Sequence, residues 1–135
     1  MKRVHIVAGI IFNPEKKQIY ITKRPDHAHK GGFWEFPGGK VEKNESAVDA
    51  IERELFEEIG IHDLRSEVFQ HFDFDYSDKA LSFDFFVVHS FIGTPFCKEG
   101  QQGRWVNVEN LADYSFPEAN IPVVKSVMKH FYFEK

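Results

Sequence analysis

The chain has 135 residues, of which 42% are hydrophobic and 28% charged, and its formal net charge is −4 at pH 7. This size and balance predict one soluble globular domain spanning residues 1–135. The negative charge and the lack of a Lys/Arg run argue against binding to a nucleic-acid backbone. Cys97 is the single cysteine, which excludes an internal disulfide and favours a reducing cytoplasm. No apolar segment has the length of a membrane span.

The first two predicted elements are strands joined by a tight turn. Residues Val4–Phe12 form a nearly continuous apolar run, which is typical of a central strand buried on both faces. This start also resembles a short signal sequence, but His5 interrupts the apolar run and Asn13–Glu15 ends it as a turn would. Residues Gln18–Thr22 predict a second strand, so we expect the two strands to form a hairpin.

The loop after the second strand contains two pairs of polar residues. Lys23 and Arg24 stand at the strand end, where their side chains can reach phosphates or the edge of a base. A solvated strand end is the alternative interpretation of this pair. His27 and His29 could together hold Zn²⁺, but no Cys or His partner stands at ligand spacing, so the sequence does not favour a zinc site there.

A glycine pair precedes a helix with clear boundaries. Gly38–Gly39 predicts a turn in which the backbone approaches a phosphate or a metal closely, and an ordinary turn is the alternative. Ser46 is followed three residues later by Asp49, as in a capping box, and Gly60 suits a left-handed C-terminal cap. We therefore predict a helix over Ala47–Ile59.

The predicted helix combines an apolar stripe with an acidic edge. At about 100° per residue, the buried stripe consists of Val48, Ile51, Leu55 and Ile59. Glu54, Glu57 and Glu58 gather beside it, where like charges and the negative end of the helix dipole are unfavourable. Arg53 can pair with Glu57, but one guanidinium leaves at least two carboxylates unneutralised. A hard divalent cation, above all Mg²⁺, would complement this edge, and a solvated acidic face is the alternative.

The stretch around this helix matches a longer pattern. Its fixed positions follow the spacing G-x5-E-x7-R-E-aliphatic-x-E-E-x-G-aliphatic and are occupied by Gly39, Glu45, Arg53, Glu54, Leu55, Glu57, Glu58, Gly60 and Ile61. A chance match in a chain this short has a probability on the order of one in ten million. The pattern resembles the signature sequence of the Nudix hydrolases, which cleave nucleoside diphosphates linked to another moiety.

The resemblance implies a metal-dependent enzyme and gives roles to individual residues. It implies that Mg²⁺, or Mn²⁺ as a substitute, is held by the following residues: Gly38 through its carbonyl, Glu54, Glu57 and Glu58. It also implies that Glu54, Arg53 and Glu57 are catalytic, that Arg53 orients the glutamates, and that Glu45 has a structural role. The spacing leaves open which glutamate acts as the base.

The chain after the helix predicts further strands and a second acidic loop. Residues 62–76 lead into a strand that forms a hairpin with Leu81–Phe91, and a short strand follows at residues 103–108. Glu99 lies in the loop between the last two strands. A loop carboxylate can complete a metal shell that a helix begins, whereas a surface glutamate is the simpler interpretation.

The C-terminal segment predicts a second helix. Its buried stripe at helical spacing consists of Val124, Val127, Met128 and Phe131. Asn120 stands just before this helix, where it suits an N-cap with Pro122 in the first turn. Its side-chain amide is also suited to match a donor and an acceptor on a purine edge.

Several short motifs resemble the MutT branch of the Nudix family. They are T-x-R at residues 22–24, A-H at 28–29, E-F-P-G-G at 35–39, K-E-G-Q at 98–101 and F-P-x-A-N at 116–120. This branch removes oxidised guanine nucleotides from the precursor pool and thereby prevents mutation. The resemblance implies hydrolysis of 8-oxo-dGTP, and less efficiently of dGTP, to the monophosphate and pyrophosphate, with water attacking the β-phosphorus.

The same resemblance completes the set of expected site residues. It adds Glu99 to the metal ligands, and it implies substrate contacts for Lys23, Arg24, Phe36, Gly39, Lys40, Lys79 and Asn120. Lys23 and Lys79 stand where the branch is expected to carry arginine. Lys79 lacks the planar fork that contacts a base edge at two points.

These predictions together describe an α/β protein of the Nudix type. We expect an α/β/α sandwich in which a mixed, partly closed sheet lies between the two helices. The expected partner is a small nucleotide rather than a nucleic acid or a membrane, and the expected state is a cytoplasmic monomer. Three alternatives stay open: a Nudix hydrolase of another substrate, such as an NTP, a dinucleoside polyphosphate or ADP-ribose; a non-catalytic nucleotide sensor; and a protein whose acidic face docks a basic partner.

Overall fold

The computed structural model describes residues 2–26 and 31–131 of the chain. The strands in these ranges are β1 (Arg3–Phe12), β2 (Gln18–Lys23), β3 (Trp34–Glu35), β4 (Gly38–Lys40), β5 (His62–Tyr76), β6 (Lys79–Ile92) and β7 (Gly103–Asn107). The α-helices are α1 (Ala47–Ile59) and α2 (Ile121–Phe131), and two 3-10 helices span Val108–Asp113 and Glu118–Asn120. The interpretation of His27 and His29 lies outside the described residues.

Strand β1 is the centre of a mixed sheet. One edge of β1 pairs in parallel with β6, and its other edge is shared by two antiparallel partners, β4 at Ile6–Ala8 and β2 at Ile11–Phe12. The sheet continues antiparallel from β2 to β3 and β7, and from β6 to β5. Because strands or helices cover β1 on all sides, Val7–Phe12 are buried, which explains their apolar run. The predicted hairpin of β1 and β2 is confirmed.

Each face of the sheet is covered by one α-helix. The core on one face contains Ala50, Ile51, Leu55 and Ile59 of α1, and the core on the other contains Val123, Val124 and Val127 of α2. The side chains of β6 alternate between these cores, with Phe85 in the α2 core and Phe86 in the α1 core. The predicted α/β/α sandwich with a mixed sheet is confirmed.

The ends of α1 lie where the sequence predicts them. The hydroxyl of Ser46 accepts a hydrogen bond from the amide of Asp49 at 3.1 Å. Gly60 ends the helix with a φ of 76°, a conformation that glycine adopts without the steric penalty of other residues. The Nζ atom of Lys98 donates to the carbonyl of Phe56 at 3.2 Å, which places a cation at the negative end of the helix dipole.

Two local predictions are wrong. Val48 is 59% exposed, and Ala50 lies in the buried face of α1 instead, so the contact with the sheet is centred further round the helix than the apolar stripe suggests. Gly38 and Gly39 do not form a turn but lie in β4, opposite Ala8 and Val7 of β1. Glycine permits turns, but at this pair the requirement is steric, because a Cβ atom would meet main-chain atoms at Gly38 and the carboxylate of Glu54 at Gly39.

Helix α2 starts after the 3-10 helix Glu118–Asn120 and runs to Phe131. Of its predicted stripe, Val124 and Val127 are buried, whereas Met128 and Phe131 are partly buried against the same core. In the part of the chain that the structure describes, no helix combines the length and apolar character needed to cross a membrane.

Candidate active site

Arg53 is the centre of the hydrogen bonds at the acidic edge of α1. Its Nε and Nη2 atoms donate to the two carboxylate oxygens of Glu45 at 2.7 and 2.9 Å. Its Nη1 atom donates to Glu54 at 3.0 Å and to Glu57 at 3.1 Å, which confirms the predicted pair of Arg53 and Glu57. Its Nη2 atom also donates to the main-chain carbonyl of Lys40 at 3.0 Å. One guanidinium therefore fixes two glutamates of α1 relative to β4 and to the loop before the helix.

Glu45 holds Arg53 from that loop. In addition to the two bonds from Arg53, its carboxylate accepts a hydrogen bond from the amide of Glu42 at 2.9 Å. These bonds, with the contribution of Arg53 the largest, lower the pKa of Glu45 to about 2, because they stabilise the charged form of the carboxyl group. Glu45 therefore stays ionised and has the structural position that the family resemblance implies.

Strand β4 brings main chain directly against Glu54. A Cβ atom at Gly39 would collide with the carboxylate of Glu54. A Cβ atom at Gly38 would collide with the carbonyl of Val7 and would lie 2.7 Å from the Cα of Ala8. The two glycines thus allow one short strand to pack between a strand of the sheet and the acidic edge of α1.

Two of the predicted metal ligands, Glu54 and Glu99, act on the pKa of a third, Glu58. The pKa of Glu58 is raised to about 8, first by burial and then by the negative charges of Glu35, Glu54 and Glu99. The pKa of Glu54 is raised as well, mainly by burial. The amide of Lys98 donates to the carbonyl of Glu58 at 3.0 Å, which holds the loop of Glu99 beside the end of α1. Glu58 is therefore the carboxylate whose ionisation the neighbouring negative charges oppose.

Glu35 belongs to this cluster, and sequence reasoning missed it. It lies in β3 opposite Thr22, and its carboxylate accepts a hydrogen bond from Nη1 of Arg24 at 2.7 Å. Burial raises the pKa of Glu35 and the positive charge of Arg24 opposes that rise. Among the carboxylates that raise the pKa of Glu58, Glu35 has the largest effect. The available signal in the sequence is a lone carboxylate inside the short aromatic segment Phe33–Phe36.

The acidic edge has the donor chemistry of a divalent-cation site, but its carboxylates are not gathered into a complete set of ligands. Among residues 2–26 and 31–131, no three His, Cys, Asp or Glu side chains form a group that could hold a metal ion. Glu54 and Glu57 contact Arg53 instead, and the side chain of Glu57 is 58% exposed. Oxygen donors whose pKa values are raised by burial and mutual repulsion fit a hard cation, because a positive charge would relieve that repulsion.

A cavity of about 460 Å³ adjoins this edge. Six of the seven predicted substrate-binding residues line it: Arg24, Phe36, Gly39, Lys40, Lys79 and Asn120. Lys23 is not among the lining residues, and its amide donates to the carbonyl of Gln102 at 2.9 Å. The glutamates of α1 do not line the cavity either. Gly39 connects the two regions, because it lines the cavity and also lies against Glu54.

The cavity combines an apolar surface with basic side chains. Its apolar lining includes Val4, Ile6, Leu81 and Phe83, and its charged lining consists of Lys2, Arg24, Glu35, Lys40, Asp78 and Lys79. The basic side chains outnumber the acidic ones by four to two in this lining. A mostly apolar recess with a few convergent cationic groups is suited to an aromatic base that carries phosphates.

Asn120 is a buried polar residue in the cavity wall, with 7% of its surface exposed. It is the last residue of the 3-10 helix, and its main-chain amide donates to the carbonyl of Pro117 at 2.9 Å. The preceding amide, of Ala119, donates to the hydroxyl of Tyr76 at 2.9 Å. Two consecutive main-chain hydrogen bonds therefore hold the backbone that carries the Asn120 side chain.

Comparisons with known proteins agree with this geometry. The NUDIX domain model matches residues 7–126. The 8-oxo-dGTP diphosphatase of Haemophilus influenzae is 42% identical over 127 residues, covering 94% of this chain and 93% of that protein. The 8-oxo-dGTP diphosphatase of Escherichia coli is 38% identical over 129 residues, covering 96% of this chain and 99% of that protein. A solved structure from a study of MutT from Aliivibrio salmonicida and Vibrio cholerae is 61% identical, covers 96% of this chain and 100% of that chain, and has a TM-score of 0.88.

The chain therefore belongs to the Nudix family. The family model covers most of the chain, including the whole of α1 and the residues that surround it. The prediction of a Nudix hydrolase with an α/β fold is confirmed.

Proposed function

We propose that the protein is an 8-oxo-dGTP diphosphatase of the MutT type, which hydrolyses 8-oxo-dGTP to 8-oxo-dGMP and pyrophosphate and acts less efficiently on dGTP. The observation that carries the proposal is the connection through Gly39, which lines the cavity and lies against Glu54. A base held in the cavity can extend its phosphates past β4 to the glutamates of α1. The likeness to 8-oxo-dGTP diphosphatases along almost the whole chain supports the same reaction.

Asn120 and Phe36 are the residues that we assign to the base. The Asn120 side chain offers both a hydrogen-bond donor and an acceptor at a buried position, so a base that leaves either group unpaired binds less well. The Phe36 ring is almost fully buried, and its centroid lies 5.3 Å from that of Phe116 and 6.1 Å from that of Phe85. These packed rings give the cavity a fixed shape at the base end.

Arg24 and Lys40 are the residues that we assign to the anionic part of the substrate, and Lys79 adds a further cation to the cavity lining. All three line the cavity, and a cationic lining favours the binding of a triphosphate over that of a neutral nucleoside. Arg24 is oriented by its hydrogen bond to Glu35, whose own position in β3 is fixed by pairing with β2. Lys40 is tied to the acidic edge, because its carbonyl accepts a hydrogen bond from Arg53.

The reaction that we propose is a displacement at the β-phosphorus. The oxygen of a water molecule bonds to this phosphorus as the bond to the oxygen bridging the α- and β-phosphates breaks. The bridging oxygen leaves with the monophosphate, and the oxygen of the water remains in pyrophosphate. Glu54 either accepts the proton of the water or is a metal ligand, and Arg53 fixes its orientation together with that of Glu57.

The residues that we propose as holders of Mg²⁺, or of Mn²⁺ in its place, are Gly38 through its carbonyl, Glu54, Glu57, Glu58 and Glu99. Bound metal supplies a lowered pKa for the attacking water and neutralises charge that develops on the phosphate oxygens. The burial of Glu54 and Glu58 and the negative charge that Glu99 directs at Glu58 support this assignment. Glu57 would have to leave its hydrogen bond with Arg53 to join them.

The experiment that tests the proposal is the release of pyrophosphate, with Mg²⁺ present, from 8-oxo-dGTP, dGTP and the other common nucleotides. We expect the highest kcat/KM for 8-oxo-dGTP. Comparable kcat/KM values for several nucleotides would support a nucleotide hydrolase but overturn 8-oxo-dGTP as its preferred substrate. Binding of nucleotides without hydrolysis of any of them would overturn the enzyme in favour of a sensor.

A Nudix hydrolase with a broader range of nucleoside triphosphates is the second candidate. The observation that favours it is Lys79 in the cavity lining, because an ammonium group acts as a point charge and does not contact a base edge at two fixed points. Under this alternative, Asn120→Ala leaves the relative rates on different nucleotides nearly unchanged.

We also infer that the protein acts as a cytoplasmic monomer on free nucleotides. Gly39 connects the cavity to the acidic edge within one chain, which supports a monomeric enzyme. A net charge of −4 disfavours an extended polyanion or an anionic membrane surface as the partner. Cys97 is a free thiol, which is typical of a reducing compartment.

A further inference from the structure

We propose that Tyr76 is a positioning residue for the side chain of Asn120 and thereby sets the preference of the enzyme among bases. The proposal rests on the proposed function, in which Asn120 contacts the base. It assigns a specific task to the last residue of β5.

The two residues are connected through the amide of Ala119. The hydroxyl of Tyr76 accepts a hydrogen bond from this amide at 2.9 Å, and the bond is buried although it joins positions 43 residues apart. Ala119 is fully buried and directly precedes Asn120 in the 3-10 helix. Any shift of the Ala119 amide is therefore transmitted to the backbone of Asn120.

The amide of Ala119 depends on Tyr76 because a helix leaves its first N–H groups without internal partners. The 3-10 helix Glu118–Asn120 has three residues, and its main-chain bonds satisfy the amides of Asn120 and Ile121. A buried N–H without a partner is more unfavourable than the net gain from an ordinary hydrogen bond. If the Tyr76 hydroxyl is removed, the segment must move to give the Ala119 amide another partner.

The hydroxyl and the ring of Tyr76 can be separated experimentally. Tyr76 lines the cavity, and its ring packs against that of Phe74, with ring centroids 4.9 Å apart. Burial raises the pKa of Tyr76, and the amide of Ala119 opposes this rise, as expected when an N–H donates to the phenol oxygen. Tyr76→Phe keeps the aromatic ring and removes the hydroxyl group that accepts the bond from Ala119.

The test compares Tyr76→Phe, Asn120→Ala and the double variant, using 8-oxo-dGTP, dGTP and dCTP as substrates. We expect Tyr76→Phe to raise the KM for 8-oxo-dGTP about tenfold relative to dCTP, with kcat unchanged, since this is the effect of one misplaced hydrogen bond. In the Asn120→Ala background, Tyr76→Phe should have no further effect on the ratio of the KM for 8-oxo-dGTP to the KM for dCTP. Tyr114→Phe is the matched control, because the Tyr114 hydroxyl bonds to Arg104 on the surface and Tyr114 does not line the cavity.

Each other outcome overturns a distinct part of the account. If Asn120→Ala raises the KM for 8-oxo-dGTP relative to that for dCTP and Tyr76→Phe does not, the positioning role is wrong and the proposed function stands. If Asn120→Ala leaves this ratio of KM values unchanged, Asn120 does not contact the base. The positioning role of Tyr76 is then wrong as well. If Tyr76→Phe lowers kcat equally on all nucleotides, Tyr76 has a structural role only and does not set the preference among bases.

Amide hydrogen exchange of the wild-type protein supplies a measurement that does not depend on the folding of a variant. We expect slow exchange at the amide of Ala119 in the absence of nucleotide, since its hydrogen bond to Tyr76 is buried. Exchange at the rate of an exposed loop amide would overturn the proposal.

Discussion

Glu45 and Arg53 are joined at two points, with Nε and Nη2 of the arginine donating to the two carboxylate oxygens at 2.7 and 2.9 Å. A two-point pair fixes the plane of the guanidinium, so the Nη1 atom is directed to Glu54 and Glu57. The orientation of the two glutamates is therefore set by a residue of the loop before α1.

Replacing Arg53 by lysine should reduce catalysis more than substrate binding. An ammonium group cannot reproduce the geometry with which Arg53 contacts Glu45, Glu54, Glu57 and Lys40, so the glutamates lose their orientation. We expect kcat on 8-oxo-dGTP to fall about 10²-fold with a nearly unchanged KM, because misplacement of catalytic groups has effects of this size. Steady-state kinetics provide the measurement, and Arg65→Lys, on an exposed position of β5, is the control. A raised KM with an intact kcat would instead make Arg53 a substrate-binding residue.

The two glycines of β4 should respond differently to alanine. In Gly39→Ala the new methyl group meets the carboxylate of Glu54, which is the movable end of a side chain, so we expect a folded protein with low activity. In Gly38→Ala the methyl group meets main-chain atoms of Val7 and Ala8, which cannot move aside. We expect Gly38→Ala to lower the free energy of unfolding by about 3 kcal/mol, the upper end of the usual range for overpacking.

Urea unfolding and kcat/KM, measured on both glycine variants, distinguish these effects. If Gly39→Ala keeps the activity of the wild type, then Glu54 does not need its position against β4.

The stability contributed by Glu45 should depend on pH in a defined direction. Its pKa is about 2 in the folded protein against an ordinary value of 4.5. A carboxyl group with a lowered folded pKa stabilises the fold fully above its unfolded pKa, and this stabilisation is lost as the pH falls through the folded pKa. The contribution of Glu45 is therefore complete at neutral pH and declines between pH 4.5 and about 2.

The free energies of unfolding of the wild type and Glu45→Gln, measured in urea at several pH values, test this direction. The difference between the two proteins should be largest near neutral pH and should shrink as the pH falls below 4.5. A difference that stays constant over this range would contradict the lowered pKa.

Lys79→Arg should strengthen discrimination at the base. Lys79 lines the cavity, and a guanidinium offers a planar pair of donors where the ammonium offers a point charge. We expect the ratio of kcat/KM for 8-oxo-dGTP over dGTP to rise by up to about tenfold, the value of roughly one additional hydrogen bond. Lys43→Arg, in the exposed loop before α1, should leave the ratio unchanged and serves as the control.

The sequence predicted elements whose determinants are local. The bounds of α1 follow from Ser46 and Gly60, which act within one turn of the helix ends, and both were predicted correctly. The prediction that Val48 is buried is wrong, because periodicity gives the width of an apolar stripe but not the angle at which the helix meets the sheet. The predicted turn at Gly38–Gly39 is wrong for a different reason. The atoms that a Cβ would meet belong to Val7 and Glu54, which are distant in the sequence.

The cavity was predicted less completely than the acidic edge for the same reason. Glu35 enters the site through the pairing of a two-residue strand with β2, and a segment so short carries no periodic signal. The contact between Tyr76 and Ala119 joins the end of β5 to the entry of α2. Neither Tyr76 nor Ala119 belongs to a sequence pattern that predicts this contact, so it is visible only in the folded structure.

The most direct test of the account is the separate effect of Glu54→Gln and Asn120→Ala on kcat and KM for 8-oxo-dGTP. Glu54→Gln should lower kcat by about 10²-fold or more and leave KM within a few-fold of the wild type, because Glu54 acts in the chemical step. Asn120→Ala should raise KM about tenfold or more with little change in kcat, because it removes contacts to the base. Wild-type kcat in Glu54→Gln would contradict the claim that the cavity binds the substrate for reaction at the acidic edge of α1.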